Sequence, residues 1–415
     1  MERPRLRPLE AFPVMEGNEP FLALRDPSGL AESLVKLPPL AAAVVQLFDG
    51  EWTRDEVCAE FLRRYSRPLG RDTLDKLLAQ LDDALLLDSD RFRNHSATIF
   101  ADFGRAADRK PHLAGKSYPR DAADLRRMLD GFFDPPNGPG KAAKKDGGLP
   151  KAIVAPHVDF PRGGPAYAWA YKPLAEAADA PDLVVVFGTN HNGVDQPFAL
   201  TKKDYVTPLG TLPTDGALVD ELVARTKARA GDKIADALFY DEHHHRAEHS
   251  IEFQSVWLNY LYADRPVKLL PILTGSFANY FENDPSADVR LALLSDLSEL
   301  VAKRRVLFVA AADLAHVGPR YGDPDPLDKQ DWASLEKRDQ ASLQPVLRGD
   351  AKGWFDEIAR EQNRRRVCGL SPIFSMLATT KLTNGKLVAY AQCPADERAG
   401  SVVSIASIVF EKNAG

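Results

Sequence analysis

Cysteine is scarce in this 415-residue chain: Cys58, Cys368 and Cys393 are widely spaced and odd in number. They make no disulfide framework, and a reducing compartment is the expected setting. Long apolar runs are missing too. No stretch approaches the roughly 18 residues that span a bilayer. The N-terminal MERPRLRPLEAFPVMEGNEP carries positive charge but no continuous apolar segment, so no secretory signal is expected. Nor does one sign of charge dominate. Lys and Arg number 53 against 59 Asp and Glu, a net charge of −6, which argues against a nucleic-acid partner. The expectation is a soluble cytoplasmic protein that engages neither membrane nor nucleic acid. What is present is ordinary globular material, 44% apolar and 27% charged, enough for two or three domains of roughly 150 residues.

Residues 1–92 read as a small, mainly helical domain. Thr53 can cap the helix of TRDEVCAEFLRRYSR, with Val57, Phe61 and Leu62 at helical spacing. In RDTLDKLLAQLDDALLLDSD, residues Leu74, Leu77, Leu78, Leu81 and Leu85 share a face. The stretch VVQLFDGEWTRDEVCAEFLRRY resembles the helix, Asp-Gly, Thr, helix core of PqqD-like winged-helix domains. That resemblance implies a leader-peptide partner; a generic helical accessory domain is the alternative. Residues 93–110 carry no strong pattern and read as a linker.

From 111 to 415 the expectation is one α/β domain with a mostly parallel central sheet flanked by helices. KAIVAP (151–156), DLVVVFGT (182–189), VKLLPIL (267–273) and RVLFVAAAD (305–313) are short continuous apolar runs. Helical stretches such as 215–229 and 287–304 lie between them, the pattern of buried parallel strands with covering helices. KLVAYAQC and SVVSIASIVFE add two strands, expected as an antiparallel pair at an edge. PPNGPGKAAKKDGGLP (135–150) reads as a flexible surface loop inside this domain.

Ligands of open α/β sheets bind beyond the carboxyl ends of the strands. Three such ends carry histidine: His157, His191 in GTNHNG, and His316 with Asp313 in AADLAHVG. Three imidazoles within reach suit Zn, Fe, Cu or Ni. In DEHHHRAEHSIEFQ (241–254), Glu248, His249 and Glu252 stand out, the two glutamates four apart on one helical face. His243, His244 and His245 read as a solvated loop with one functional member. H-E-x-x-H is absent, so a zincin protease is unsupported. Cys368 precedes a helix, where the dipole and Arg364, Arg365 and Arg366 would acidify its thiol; a buried structural cysteine is the alternative. Asp159 and Arg162, in HVDFPRGG, are either site residues or a structural salt bridge.

Six ordered segments resemble the Memo family, also called AmmeMemoRadiSam system protein B, which is related to LigB-type class III extradiol dioxygenases. They are PHLAGKSYP, IVAPHVDFPRGG, FGTNHNG, EHSIEFQ, AAADLAHVG and RVCGLSPI. The resemblance covers roughly residues 110–412. It implies metal ligands at His157, His191 and Cys368, with His316 as acid/base or further ligand and Asp313 beside it. His249 and Glu252 match family positions and are carried as candidate catalytic residues. Where the family has Gly-Tyr, this chain has Asp159-Phe160, which makes Asp159 a candidate added ligand. Arg162, Phe160 and Asn190 are the candidate substrate contacts. The leading expectation is a non-haem metalloenzyme, an Fe(II)-dependent oxidoreductase or oxygenase acting on a small molecule or peptide, with copper or zinc as other ions. The alternatives are a copper-, iron- or peptide-binding module without turnover, and a Zn-dependent hydrolase.

Overall fold

Gly17 and Asn18 separate two short runs, and the runs pair as an antiparallel hairpin of β1 (Glu10–Glu16) and β2 (Glu19–Arg25). Gly17 supplies the positive φ, +62°, that so tight a turn requires. The computed structural model describes residues 2–143, 148–193, 196–282, 285 and 288–411. It divides into two units, Met1–Arg105 and Ala106–Gly415.

In the first unit, β3 (Val35–Leu37) completes a sheet of order β1-β2-β3. Four helices follow: α1 (Pro39–Val45), α2 (Arg54–Tyr65), α3 (Arg71–Asp83) and α4 (Asp90–Arg105). Thr53 caps α2 in a reciprocal box with Glu56, as the sequence leads one to expect. Leu74, Leu78 and Leu81 of α3 are buried with Val57 and Phe61 of α2 in one apolar core. Leu77 is half-buried, and Leu85 lies past the end of α3 at a φ of +60°. The hairpin is an addition to the expected helices. The segment read as a linker, 93–110, contains α4 as far as Arg105 and then β4 (Asp108–Arg109) of the second unit.

The second unit continues with α5 (Ala122–Gly131), β5 (Ala152–Ala155), α6 (Phe160–Glu176), β6 (Leu183–Thr189), β7 (Phe198–Leu200), β8 (Asp204–Thr207) and β9 (Gly210–Leu212). Next come α7 (Gly216–Ala230), α8 (Asp232–Ala237), α9 (His249–Tyr262), β10 (Lys268–Thr274), α10 (Leu293–Val301), β11 (Val306–Ala311) and β12 (Asp313–Val317). The last elements are α11 (Lys329–Leu347), α12 (Ala351–Arg360), α13 (Leu370–Thr380), β13 (Lys386–Pro394) and β14 (Val402–Phe410). The four apolar runs form the parallel centre, β5-β11-β6-β10. β7 pairs antiparallel with β10 on one side and β14 antiparallel with β5 on the other.

One expectation about this sheet is corrected. β14 is not at an edge: it hydrogen-bonds to β5, β12 and β13, and every residue in it is buried. A continuous apolar run such as VVSIASIVF is covered on both faces, which an edge cannot provide. Alternation along β6 shows the layers. Leu183, Val185 and Phe187 face a core shared with α7, α10, α12 and α13. Val184 and Val186 face the core built on α5, α6 and α9.

Residues 144–147 of the expected 135–150 loop lie outside the described residues, as does Ala287 of the expected 287–304 helix. The first part of the loop is bound to α6, where Trp169 donates to the Asn137 carbonyl (3.0 Å) and Lys172 to that of Pro139 (2.6 Å). Among the described residues no helix is long and apolar enough to cross a membrane.

Candidate metal centre

The carboxyl ends of three strands converge. β5 is followed by Pro156 and His157, β6 by Asn190 and His191, and β11 turns through Ala312 into β12, which carries Asp313 and His316. α9 adds His249 as its first residue, and the turn into α13 adds Cys368. Ligand atoms of His157, His191 and His249 lie within 4.8 Å of one another, a group that could hold a metal ion. The ring centroids are 5.0, 5.3 and 4.8 Å apart, with His191 and His249 stacked. Two nitrogens on one tetrahedral ion stand about 3.4 Å apart, so small ring rotations would close the group.

His157 is buried, at 1% exposure. Its Nδ1 meets the Ala311 carbonyl at 2.9 Å. A carbonyl only accepts, so Nδ1 carries the proton and Nε2 faces the cleft. There Nε2 lies 3.2 Å from Cys368 Sγ and 3.6 Å from Asp313 Oδ2. Burial alone would push the imidazole down, but Asp313 and Cys368 outweigh it and raise it to about 9. Cys368 is the mirror case: burial alone would push the thiol up, and His157 with His191 brings it down to about 6. Without a cation, the cleft thus sets a thiolate against an imidazolium.

The expected arginine field is not the cause. Arg365 is paired with Asp339 and Glu361, and Arg366 with Asp323. Burial drives His249 to about 3 and His316 to about 4, with Glu248 and Asp313 opposing, so both rings are neutral near pH 7.

Glu248 organises the outer wall. It is 4% exposed and caps α9, its Oε1 accepting from the backbone N–H of His249 (2.8 Å) and Ser250 (3.1 Å). Its Oε2 accepts from the His191 N–H at 3.0 Å, and both oxygens stand 3.1 Å from His191 Nδ1. His249 Nδ1 is 3.2 Å from Oε1.

Several expected site residues do other work. Glu252 is fully buried and is not a proton-transfer group. Oε1 accepts from the Leu113 N–H (2.8 Å) and the Tyr118 hydroxyl; Oε2 accepts from the His112 N–H (3.1 Å) and pairs with Arg109. Those contacts fill the roughly four acceptor positions of a carboxylate. Asp159 caps α6 and binds Arg162 at 2.6 and 2.9 Å, the structural salt bridge rather than an added ligand. Phe160, fully buried among Tyr118, Tyr167, Phe253 and Trp257, is core and cannot touch substrate. Asn190 is buried, its backbone N–H donating to the Thr274 carbonyl, while its side-chain Oδ1 has no hydrogen-bond partner among the described residues. Arg162 stays one-third exposed at the rim.

Asp313 does not orient His316. Asp313 Oδ1 accepts from the N–H groups of His157 (2.7 Å) and Val158 (3.2 Å). His316 Nδ1 is instead turned to the carbonyls of Leu314 (3.2 Å) and Arg366 (3.1 Å), and its ring packs edge-on against Tyr321. The 243–245 run is no solvated loop. It lies in the 3-10 helix Glu242–Arg246, where His245 is fully buried, bound by the Tyr205 hydroxyl (2.7 Å) and the Ala199 carbonyl (3.0 Å). Burial holds it neutral, down to about 3.

The roles of two residues escape the sequence reading of the site. Glu248 is conspicuous there, but only the structure reveals its grip on His191. Arg109 sits in a stretch without periodicity and gives no signal at all. It is fully buried, and its guanidinium donates to the carbonyls of His245 (2.8 Å), Glu248 (2.9 Å) and Lys110 (3.1 Å).

A mixed sheet whose strand ends, with the starts of α9 and α13, bring histidines and a cysteine to one cleft defines an α/β protein with a candidate metal centre. A family model described as Memo-like protein matches residues 109–409, and the chain belongs to the Memo family. A MEMO1 family protein of Aquifex aeolicus is 26% identical over 393 residues, covering 93% of this chain and 95% of its own length. One from Methanopyrus kandleri is 28% identical over 313 residues, 74% of this chain and 99% of its own. One from Thermococcus kodakarensis is 30% identical over 319 residues, 73% and 99% respectively.

Proposed function

We propose that the second unit is a non-haem metal-dependent oxidoreductase whose ion is held by His157, His191 and Cys368, with His249 completing the donor set. The observation that carries this reading is Cys368 Sγ at 3.2 Å from His157 Nε2, beside two further imidazoles. Thiolate with imidazole suits iron, copper or zinc and disfavours magnesium or calcium. The donors therefore fit the group, with iron as the proposed ion. Iron bound there would supply one-electron redox chemistry to a small-molecule or peptide substrate.

The chain's own residues frame that substrate. His316 is neutral and held through Nδ1, so its Nε2 is the atom that would take or return a proton. Tyr321 packs edge-on against the His316 ring, and Arg162, held by Asp159, lies one-third exposed at the rim. Asp313 fixes the backbone at His157, its Oδ1 accepting from the His157 and Val158 N–H groups.

The test is elemental analysis of tag-free protein purified anaerobically, with His157→Ala and Cys368→Ala alongside, followed by oxygen-consumption assays. Near-stoichiometric iron or copper lost in both variants supports the reading. Zinc at unchanged occupancy in both variants, or no metal in any, overturns it.

A further inference from the structure

Resting on the metal-site reading, we propose that Glu248 is the positioning residue of the centre: it fixes which edge of His191 and His249 faces the ion. A single carboxylate with 2% of its side chain exposed gathers three backbone N–H groups and stands within 3.2 Å of two Nδ1 atoms. A carboxylate only accepts, so each Nδ1 must carry the proton for the contact to be favourable. Each Nε2 is then the edge left to bind an ion, and the two rings stack with centroids 4.8 Å apart. His157 likewise donates through Nδ1, to the Ala311 carbonyl. A carboxylate behind a ligating imidazole also raises its basicity, and loss of such a partner typically costs about 10- to 100-fold in metal affinity.

Glu248 is itself braced. Arg109 binds its carbonyl while paired to Glu252, one turn further along α9. The N-cap therefore cannot turn away without breaking a buried ion pair. The backbone of β6 also lies tightly against α9: a Cβ on Gly188 would approach Ile251 and Ser250 closely, which holds His191 near Glu248.

The test uses the full chain with Co(II) alone as probe. Wild type, Glu248→Gln, Glu248→Asp and His157→Ala are titrated by absorption spectroscopy, and the imidazole nitrogens of metal-free wild type are assigned by 15N NMR after histidine labelling, at a pH high enough that both rings are neutral. Expected are Nδ1–H tautomers at His191 and His249, Co(II) affinity reduced about 10- to 100-fold with altered ligand-field bands in Glu248→Gln, and partial recovery in Glu248→Asp. Nε2–H tautomers in wild type overturn the proposal even if no variant folds. So does a folded Glu248→Gln that keeps wild-type affinity and spectrum while His157→Ala loses Co(II). If His157→Ala binds Co(II) as wild type does, it is the metal reading that fails, and this proposal falls with it.

Discussion

Arg109 and Glu252 are both fully buried, and each is the other's charge partner. Removing one member of such a pair leaves an uncompensated ion, a cost of about 3–5 kcal/mol, whereas replacing both with apolar groups is often close to neutral. Arg109→Met should therefore lower the urea-unfolding free energy by about that amount, and Arg109→Met with Glu252→Leu should recover part of it, since the double variant removes the lone charge but leaves the His112 and Leu113 N–H groups without their acceptor. An Arg109→Met protein as stable as wild type would refute this account. The pair also shows what the sequence could and could not yield. EHSIE marks a functional turn, yet its two glutamates have separate duties: Glu248 faces the histidines, and Glu252, four residues on, faces Arg109. Spacing on a helix gives the face but not what lies opposite it. For the same reason His157, His191 and Cys368 were legible from strand and helix ends, while Phe160 was misread: its neighbours come from α9 and from Tyr118, far away in sequence.

The turn that leads into α13 sets the thiol against His157. Gly369 donates to the Asp313 carbonyl at 3.0 Å, and a Cβ there would collide with that same oxygen. Gly369→Ala should displace Cys368, costing about 1–3 kcal/mol of stability through overpacking and weakening Co(II) binding; the same titration reads both site and turn. In the first unit the turn after β2 depends on one carboxylate. Asp26 accepts from Ser28 Oγ (2.6 Å) and the N–H groups of Ser28, Leu30 and Ala31, and pairs with Arg7 at 3.0 Å. Burial alone would raise its pKa, but Ser28, Ala31 and Arg7 together hold it below the ordinary value. Its stabilisation is thus fully present above the unfolded value of about 3.9 and is lost as pH falls through the depressed folded one. Hydrogen exchange in β1 to β3 should accelerate over that acid range in wild type. In Asp26→Asn it should be fast already at pH 7. Elements were legible where one pattern sufficed, as in the four parallel strands and the Thr53 cap. β7, β8 and β9 are three- or four-residue strands, too short for any periodicity, and the place of β14 depends on partners that its own residues do not specify.

At the scale of the whole chain, the two units have separate apolar cores. The Aquifex relative aligns across both, while nearly the full length of the Methanopyrus protein is matched by three-quarters of this chain. A Memo unit therefore occurs without the first unit's counterpart, and residues 106–415 should fold and bind metal alone. Where the cut falls decides the outcome. The sequence places the boundary near 111, because 93–110 shows no pattern. That cut would remove β4, and with it Arg109, leaving Glu252 buried without its counter-charge and Glu248 without the donor on its carbonyl. A fragment beginning at Ala106 should match the second-unit transition of the full chain in urea and retain its Co(II) affinity. One beginning at Pro111 should unfold about 3–5 kcal/mol more easily and bind Co(II) more weakly. Equal stability and affinity in the two fragments would show that the buried pair is dispensable and that five residues beside the boundary do nothing for the site.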